Sequence, residues 1–531
     1  MEQPADDAEW WKHAVVYQVA PRSFHDSNGD GIGDLGGLLE RMDHFSWLGV
    51  DAVWLCPIYP TPNRDFGYDV SDFCALAPEM GTMEQLDELI ARLHERDIRL
   101  LLDFVPNHTA DDHAWFRASR SSRADPQRDW YVWRDGAANG GAPNNWLSRF
   151  GGSAWEWDEG TGQYYYHAFL KEQPDLNWYN PSVRAAMHDV LRFWLRRGVD
   201  GFRVDAAAVL AEDDLLRDDP PDPEAEEMPP PGRLKRAYSD DRPETLGYIE
   251  EIRAVVDEFP DRVLLAEVDV ASGDPGRFYG FDTPRFHLPL NYVLLDCSWE
   301  PDALGAEIDA YFASVMSHGW PNWVIGSHDK PRIASKIGYD KVGIAAVLLF
   351  TLPGTAILYQ GDEIGMPDVE IPRDRVRDPF ALRVPGFGLG RDPHRVPMRW
   401  SPGPNADFTT GEPWLPMGAI ESGSTVAEQA ADEMSLLHLF RRLIRFRHSA
   451  LCPRDSFRPW RNQAGVMLFE RHGRAGRHLV AANLSGGRRL LDLKLRGTVA
   501  ISTRPDREAT RLDGPLELKR DEALVLHIES D

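Results

Sequence analysis

Four segments of this chain decide its fold, because each places an acidic or histidine residue directly after a short run of β-forming residues. They are LLDFVPNH (101–108), GFRVDA (201–206), VLLAEV (263–268) and WVIGSHD (323–329). A (β/α)8 barrel brings the carboxyl ends of its parallel strands to one face and builds its active site there. The pattern therefore predicts a (β/α)8 barrel. The carboxylates that form the candidate catalytic set are Asp205, Glu267 and Asp329.

Short apolar runs alternate with amphipathic segments in the first part of the chain. The runs AVVYQVAP (14–21), DAVWLCP (51–57) and RLLLDFV (99–105) have the length and residue types of buried strands. Residues 39–49 and 82–97 repeat apolar side chains at intervals of three and four, and the second segment begins at a threonine suited to cap a helix. This alternation favours a parallel sheet covered by helices.

Two interruptions and a change of pattern near the C-terminus divide the chain. Residues 105–175 are rich in Trp, Tyr, Asn and Gly and lack periodicity, which predicts a lid subdomain inserted after the third strand. Residues 212–245 are rich in proline and acid and are either a linker or a rim element of the substrate cleft. Residues 1–104 and 176–452 form the predicted barrel, and 453–531 a C-terminal antiparallel β-sandwich domain.

Charge and apolar content exclude several classes of partner. With a net charge of −27, the protein is repelled by nucleic acid and by anionic membranes, so a small neutral substrate is favoured. The N-terminal residues are acidic and polar, and no stretch approaches the ~20 apolar residues of a membrane span. The four cysteines are scattered and form no CxxC pair, so we expect free thiols and a cytoplasmic protein.

Two of the candidate carboxylates suit the cleavage of a glycosidic bond. That reaction needs one carboxylate at the anomeric carbon and one carboxylic acid that protonates the leaving oxygen. Asp205 follows Arg203, whose guanidinium favours the ionised form, so Asp205 is the better nucleophile. Glu267 follows an apolar run, where partial desolvation would raise its pKa toward the range of a general acid. A lone acid at a strand end is more often a helix cap, but three in register favour a shared site.

The four segments resemble the four characteristic regions of the α-amylase superfamily of glycoside hydrolases. Within it, the chain is most similar to the α-glucosidase and oligo-1,6-glucosidase subgroup, and the resemblance spans nearly the whole length. The motifs that carry this closer resemblance are YQVAPRSFHDSNGDGIGDL (17–35), FGYDVSDF (66–73), NNWLSRFGGSAW (144–155), QPDLNW (173–178), LYQGDEIGM (358–366) and RVPMRW (395–400).

The resemblance implies a role for each matching residue. It implies that Asp205 is the nucleophile, Glu267 the acid/base and Asp329 the stabiliser of the transition state. The residues that it assigns to the substrate are Tyr68 for stacking on glucose, His108 and His328 for its hydroxyls, Arg203 for orienting Asp205, Asp69 and Arg395 for the non-reducing end, and Arg332 for the cleft wall. Aromatic residues of the inserted segment are either core or sugar platforms: Trp146, Trp155 and Phe169.

Three positions bear on how closely the subgroup pattern is kept. Ser327 replaces the commoner Asn beside His328, which shortens a polar side chain without touching the carboxylate. Asp269 stands two residues after the acid, where the subgroup often has another residue. Members that prefer α-1,6 bonds resemble one another in having Val directly after the nucleophile, and this chain has the smaller Ala206. This favours α-1,4-linked substrates.

The resemblance therefore implies a retaining, exo-acting α-glucosidase that releases terminal α-linked glucose from short oligosaccharides or small α-glucosides. The alternative is a transglucosidase or glucosyltransferase that passes the same glucosyl unit to sugar or alcohol acceptors. A sucrose isomerase is disfavoured because no RLDRI-type loop is visible. A non-catalytic, membrane-anchored relative is disfavoured because the three carboxylates are kept and no anchor is visible.

A short acidic loop follows the first predicted strand. Its oxygen-bearing residues stand at alternate positions, as a hard cation such as calcium or magnesium requires, and the subgroup carries a metal loop there. The candidate ligands are Asp26, Asn28, Asp30, Ile32 through its carbonyl, and Asp34. The loop is not an EF-hand, because its twelfth position is Gly37. A solvated turn is the alternative, and the expected role of the metal is structural.

Overall fold

The computed structural model describes residues 9–223, 233–268, 276–280, 282–316, 319–388, 390–452, 455–473 and 475–529. Asp269 therefore lies outside the described residues. The strands, numbered along the chain, are β1 (Val15–Val19), β2 (Ala52–Leu55), β3 (Arg99–Phe104), β4 (Trp133–Arg134), β5 (Trp155–Asp158), β6 (Gln163–Tyr166), β7 (Gly201–Val204), β8 (Val263–Ala266), β9 (Leu288–Pro289), β10 (Asn322–Val324), β11 (Thr355–Tyr359), β12 (Ser456–Gln463), β13 (Val466–Gly473), β14 (Gly476–Asn483), β15 (Arg489–Ser502), β16 (Arg511–Leu518) and β17 (Ala523–Ile528).

The helices surround the central sheet and connect its strands. They are α1 (Leu35–Glu40), α2 (Met42–Leu48), α3 (Met83–His94), α4 (Ala114–Ser121), α5 (Pro181–Arg197), α6 (Pro243–Val256), α7 (Gly276–Tyr279), α8 (Val293–Asp296), α9 (Pro301–Val315), α10 (Ile333–Ile337), α11 (Tyr339–Thr351), α12 (Pro379–Arg383), α13 (Val426–Ala431) and α14 (Leu436–Ala450).

Eight parallel strands form the predicted barrel. Hydrogen bonds pair them in the order β10, β11, β1, β2, β3, β7, β8 and β9. Side chains close the remaining seam between β9 and β10, because Asn322 Nδ2 donates to the Pro289 carbonyl (2.7 Å) and Asn291 Nδ2 donates to the Asn322 carbonyl (3.0 Å). The fold class is thus confirmed, and the carboxyl ends of the strands meet at one mouth.

Local sequence determines most helix boundaries. α3 starts after Thr82, which forms the predicted cap and a reciprocal capping box with Gln85. The segment predicted as one helix at 39–49 is instead two helices, α1 and α2, which meet at Arg41 (φ −101°, ψ 9°). α1 begins earlier than predicted because Asp34 caps it by accepting a hydrogen bond from the Gly37 N–H (2.7 Å).

The segment inserted after β3 has its own secondary structure. It contains α4 and a three-stranded antiparallel sheet in the order β4, β6, β5. Trp146 and Trp155 are buried in the core of this lobe, with ring centroids 6.0 Å apart, and so are not exposed sugar platforms. The lobe also holds the described part of the 212–245 segment, because Asn145 Nδ2 donates to the Asp219 carbonyl (2.9 Å) and Trp146 Nε1 donates to the Arg217 carbonyl (2.9 Å).

The C-terminal strands form a six-stranded antiparallel sheet in the order β12, β13, β14, β17, β15, β16. Alternate side chains of β13 take opposite directions, as the period of two requires. Met467 and Phe469 join the main core, while Val466 and Leu468 pack in a second core with residues of the bulged strand β15 and of β16. The predicted antiparallel β domain is confirmed.

Cys56, Cys74 and Cys297 are free thiols. Among the described residues, no helix combines the length and apolar character that crossing a membrane requires.

Candidate active site

Arg203 joins the two candidate catalytic carboxylates at the barrel mouth. Its strand, β7, lies between β3 and β8, so its side chain reaches acids from all three strands. Nη1 lies 2.6 Å from Asp205 Oδ1 and 2.8 Å from Asp103 Oδ1, and Nη2 lies 2.7 Å from Glu267 Oε2. Arg203 is buried and Glu267 is partly open to solvent. One rigid guanidinium thus fixes Asp205 and Glu267 relative to each other.

The charge balance at Asp205 differs from the expectation based on Arg203 alone. Burial raises the pKa of Asp205 well above its ordinary value; Arg203 opposes this rise, and Glu267, Asp103 and Asp329 add to it. The direction predicted from the neighbouring guanidinium is therefore reversed, because four carboxylates share this buried site.

Asp329 has the opposite environment. Burial alone would raise its pKa, but His328, Arg395 and Arg391 together lower it well below its ordinary value. His328 Nε2 lies 2.8 Å from Oδ2, and Arg395 Nη2 and Arg391 Nη1 lie 2.6 and 3.2 Å from Oδ1. Asp329 therefore remains a fixed negative charge opposite the Asp205–Glu267 pair. Ser327, the departure from the subgroup pattern, accepts a hydrogen bond from the Asp329 N–H (3.2 Å).

Tyr68 and His328 form one wall beside these acids. The Tyr68 hydroxyl donates to Asp103 Oδ2 (2.9 Å) and lies 2.9 Å from His328 Nε2, and the two rings are stacked with centroids 5.4 Å apart. Gln18 Nε2 donates to His328 Nδ1 (2.7 Å), which places the histidine proton on Nε2. Tyr68 and His328 are thus brought to the catalytic cluster, as the sequence predicted.

His108 extends the same wall from the end of β3. Its Nε2 lies 3.1 Å from the Tyr68 carbonyl oxygen and 3.1 Å from Gln173 Nε2. Burial lowers the pKa of His108 to about 4, so the ring is neutral at physiological pH. Phe169 packs against it with ring centroids 5.1 Å apart. The structure thus places the predicted residues His108 and Phe169 side by side.

Asp69 and Arg395 do not form the clasp that the sequence led us to expect. The Asp69 carboxylate is fully buried and accepts hydrogen bonds from the backbone N–H groups of Arg64 (2.9 Å) and Asp65 (3.1 Å). Burial raises its pKa to about 6. Arg395 binds Asp329 and the His328 carbonyl oxygen (Nε, 3.0 Å). Asp69 therefore holds a turn, and Arg395 holds the fourth strand-end segment.

Arg332 is also placed away from the cluster of carboxylates. Its Nη1 donates to the Gln360 carbonyl (2.7 Å) and its Nη2 to the His394 carbonyl (3.0 Å). Asp362 lies 3.6 Å from Nη1, and the whole side chain is buried. Its expected place in the cleft wall is corrected, because its guanidinium links three loops behind the site.

Three residues that sequence reasoning missed form an ion-pair cluster above Asp329. Arg391 Nη2 lies 2.6 Å from Asp65 Oδ1 and 2.7 Å from Asp378 Oδ1, while its Nη1 reaches Asp329. Asp378 is buried and also accepts the Arg391 backbone N–H (2.6 Å). The sequence offered only weak indications, because Asp65 directly precedes the FGYD motif and Arg391 is one of several nearby arginines.

Aromatic rings pack against this ion-pair cluster. Phe150 of the inserted lobe contacts Phe380 of α12 with ring centroids 4.2 Å apart. The Arg391 guanidinium carbon lies 5.4 Å from the Phe150 centroid and 5.0 Å from the Phe380 centroid. Phe169 lies next to Phe150, at 6.2 Å. The lobe and the loop that carries Arg391 therefore meet over the ion-pair cluster.

Ala206, directly after Asp205, has an unusual backbone conformation. Its φ is +46°, in the left-handed region that non-glycine residues rarely adopt. The next N–H, that of Ala207, donates to the Glu267 carbonyl oxygen (3.2 Å). The left-handed turn thus ties the end of β7 to the end of β8.

The acidic loop after β1 is a chain of tight turns. Asp26 accepts hydrogen bonds from the N–H groups of Asn28, Gly29 and Gly31 (2.7–3.0 Å), and Asn28 Nδ2 donates to Asp34 Oδ2 (3.1 Å). Among the described residues, no lysine or arginine forms an ion pair with these acids. Carboxylates that accept hydrogen bonds but pair with no basic side chain among the described residues fit a hard cation chemically. In the part of the chain that the structure describes, no group of three or more His, Cys, Asp or Glu side chains already forms such a cluster.

Comparisons with known proteins agree with this geometry. Residues 18–453 match the model of the family described as the α-amylase catalytic domain. A probable α-glucosidase of Rhizobium meliloti (strain 1021) is 41% identical over 465 residues, which cover 83% of each chain. An oligo-1,6-glucosidase of Parageobacillus thermoglucosidasius is 37% identical over 474 residues, 82% of this chain and 83% of that one. The crystal structure of the α-glucosyl transfer enzyme XgtA superposes with a TM-score of 0.89 at 35% identity, covering 98% of this chain and 100% of that one.

Proposed function

The chain belongs to the α-amylase catalytic-domain family of glycoside hydrolases, and from this premise we propose that it is a retaining, exo-acting α-glucosidase. Its substrates are short oligosaccharides or small α-glucosides, with α-1,4 linkages favoured. The observation that carries the proposal is the pair Asp205 and Glu267 held on two nitrogens of buried Arg203, with ionised Asp329 nearby.

The reaction proceeds by double displacement. Asp205 attacks the anomeric carbon while Glu267 gives its proton to the glycosidic oxygen, and a covalent glucosyl-enzyme forms. Glu267 then takes a proton from water, whose oxygen attacks the same carbon and releases Asp205 as a carboxylate. Two inversions restore the α-configuration. The fixed negative charge of Asp329 stabilises the positive charge that develops on the sugar ring.

Exo action is supported by the end of the pocket. The Asp65–Arg391–Asp378 cluster and the Phe150–Phe380 contact lie beside Asp329, and we expect them to obstruct the passage of a longer chain. A terminal glucose meets charged hydrogen-bonding groups there instead. The pocket therefore suits a single non-reducing-end glucose.

Transfer of the glucosyl unit to another acceptor is the second candidate function. It shares the glucosyl-enzyme and differs only in which hydroxyl attacks it. The superposition on the α-glucosyl transfer enzyme XgtA supports it.

The preference for α-1,4 over α-1,6 linkages tests the proposal, and the small side chain of Ala206 predicts its direction. Its methyl group leaves room for an α-1,4-linked leaving group, so kcat/KM for maltose is expected to exceed that for isomaltose. Ala206→Val should shift this ratio toward isomaltose about tenfold, because one or two methyl groups change discrimination by about 1–3 kcal/mol. Free glucose and total cleaved bonds are measured on maltose, isomaltose and sucrose. Two glucoses per cleaved bond of maltose or isomaltose, or one per cleaved bond of sucrose, indicate hydrolysis, and less free glucose than this indicates transfer.

Ala206→Gly is the matched control for this substitution. It relieves the left-handed φ of +46° without adding volume, so its maltose-to-isomaltose ratio should stay that of the wild type. A wild-type enzyme that strongly prefers isomaltose, or a valine variant with an unchanged ratio, would assign linkage control to another wall.

The acidic loop is proposed to bind a structural calcium or magnesium ion through Asp26, Asn28, Asp30, Asp34 and the Ile32 carbonyl. Binding to the folded state alone stabilises it by mass action, by about 2.7 kcal/mol at a hundredfold excess over Kd. A chelator should therefore lower Tm, and added calcium should restore it. In Asp30→Asn the amide oxygen can still accept the Ile32 N–H (2.8 Å in the native loop) while the charge is lost, so Tm should no longer respond to chelator. A wild-type Tm indifferent to chelator and calcium would leave the loop as a turn.

A cytoplasmic location is proposed as well. The free thiols of Cys56, Cys74 and Cys297 support it, because unpaired cysteines persist most readily in a reducing compartment. A non-reducing gel of the protein isolated from its cells, after rapid alkylation, would show whether the thiols are free there.

A further inference from the structure

The acidic, proline-rich segment after β7 is a folded element with two arms. Its described arms are residues 212–223 and 233–241, which we call the strap. Backbone N–H groups donate across the arms to carbonyl oxygens 2.8–3.0 Å away, from Asp213 to Tyr238, from Lys235 to Pro220 and from Asp222 to Arg233. A simple linker has no such bonds between its two halves, so the rim element is the alternative that these arms favour.

The strap joins the barrel to the inserted lobe. On the barrel side, the Asp241 N–H donates to the carbonyl oxygen of Ala208 (3.0 Å), which lies three residues after Asp205. On the lobe side, Arg236 Nη1 donates to the Leu147 carbonyl (3.1 Å) and adds to the lobe contacts described above. The strap therefore ties the lobe to the segment that carries the proposed nucleophile.

Asp240 of the strap pairs with an arginine of the lobe. Its side chain is 8% exposed, and its Oδ2 accepts a hydrogen bond from the guanidinium of Arg149, while Arg236 lies 3.9 Å from Oδ1. The Arg149 guanidinium carbon lies 5.7 Å from the ring centroid of Phe169, within the range of a cation–π contact. The Arg149 N–H also donates to the Ala168 carbonyl (2.8 Å). Arg149 thus holds both the ring and the backbone beside it.

Phe169 is the partly exposed aromatic residue that this ion pair reaches. Its carbonyl oxygen accepts a hydrogen bond from the Ser148 hydroxyl (2.5 Å), which fixes the backbone but not the ring. The ring lies between the Arg149 guanidinium on one side and the His108 ring, 5.1 Å away, on the other. The direction of the Phe169 ring in the pocket wall therefore depends on where Asp240 holds Arg149.

We propose that the strap positions the Phe169 ring against the terminal glucose through the ion pair of Asp240 and Arg149. The inference rests on the proposed function and names the part of the chain that shapes its pocket wall. Asp240 and Arg149 are positioning residues, since they act on the sugar through Phe169. A rigid support of this kind matters because a displacement of about 1 Å in a substrate-positioning group can lower activity about a hundredfold.

A double-mutant cycle with Phe169 tests this inference. Asp240→Asn keeps the shape of the side chain but removes the charge that holds Arg149. In the native background we expect kcat/KM for p-nitrophenyl α-glucoside to fall about tenfold, mostly through a higher KM, because the ring contacts the bound sugar. In the Phe169→Ala background the same substitution should change kcat/KM by less than about twofold, since the ring that it positions is gone. A carboxylate that only stabilised the fold would have the same effect in both backgrounds.

Arg149→Met removes the other partner and keeps the test decisive if Asp240→Asn unfolds the protein, which thermal melts detect. It should give a similar loss of kcat/KM and again add little to Phe169→Ala. Asp214→Asn makes the same charge change at an exposed position of the strap and is the matched control, with an unchanged kcat/KM.

The outcomes separate this inference from the proposed function. Equal losses in the two backgrounds, no loss in the folded variants, or a Phe169→Ala enzyme with native kcat/KM would overturn the role of the strap while the α-glucosidase assignment stands. If the wild type cleaves no α-glucoside at all, the proposed function fails and the inference fails with it.

Discussion

Asp205→Asn is expected to lower kcat on every α-glucoside by about 10³- to 10⁵-fold, because the nucleophile that forms the covalent intermediate is lost. The amide keeps the shape of the side chain. Arg203 retains Asp103 and Glu267 as partners, at 2.8 and 2.7 Å, so the fold should persist. Initial rates on maltose and on α-glucosyl fluoride, with a thermal melt of each variant, provide the measurement.

Glu267→Gln should separate the acid from the nucleophile. The acid is needed to expel a poor leaving group but not fluoride, so this variant should lose maltose cleavage by orders of magnitude while still forming the intermediate from α-glucosyl fluoride. Asp205→Asn should fail with both substrates. Asp43→Asn, at a surface carboxylate whose side chain is 93% exposed, is the control.

The stereochemistry of the first product belongs to the same test. Two displacements on one carbon release glucose first as the α-anomer, which NMR detects before mutarotation. β-Glucose as the first product, or near-normal turnover of maltose by either variant, would reject the assigned roles.

Arg391→Ala is expected to lower kcat/KM for maltose by about a hundredfold. The substitution removes the charged hydrogen bonds proposed for the terminal glucose. It also leaves the buried Asp65 and Asp378 carboxylates without their shared cation, a loss of about 2–5 kcal/mol. Arg383→Ala, at an exposed arginine of α12 near the same loop, is the matched control. Steady-state kinetics on maltose, with thermal melts, provide the measurement.

A double-mutant cycle identifies what Asp378 contributes. The Asp378 carboxylate binds both the guanidinium and the backbone N–H of Arg391. Asp378→Asn should therefore lower maltose turnover when Arg391 is present and add little to the effect of Arg391→Ala. Full additivity would show that Asp378 acts by another route.

The products of the wild-type enzyme test the same closed end of the pocket. Glucose should be the first product from short oligosaccharides, and starch viscosity should scarcely fall. Rapid loss of viscosity, or maltose as the first product, would show a cleft that longer chains can cross.

The sequence by itself determined the barrel and the candidate catalytic acids. Strand periodicity, the residues after each strand and the Thr82 cap depend on neighbours within a few positions, so they can be recognised without the fold. Asp205 and Glu267 directly follow β7 and β8, and Asp329 follows β10; the strands of a parallel barrel carry their carboxyl ends to one face. Asp205 and Glu267 accordingly meet on Arg203.

Only the tertiary structure decided which charged residues close the pocket. Arg391, Arg395 and Arg399 follow one another at intervals of four with similar local surroundings, yet only Arg391 forms an ion pair with Asp65, 326 positions earlier. Asp69 matched the motif better than Asp65, but its carboxylate accepts hydrogen bonds from backbone N–H groups of its own turn. The pKa of Asp205 likewise depends on acids from several strands. These ion pairs and pKa shifts depend on how the long loops pack against the lobe. Residues of the same type in similar local sequence differ only in the partners that the tertiary fold brings next to them.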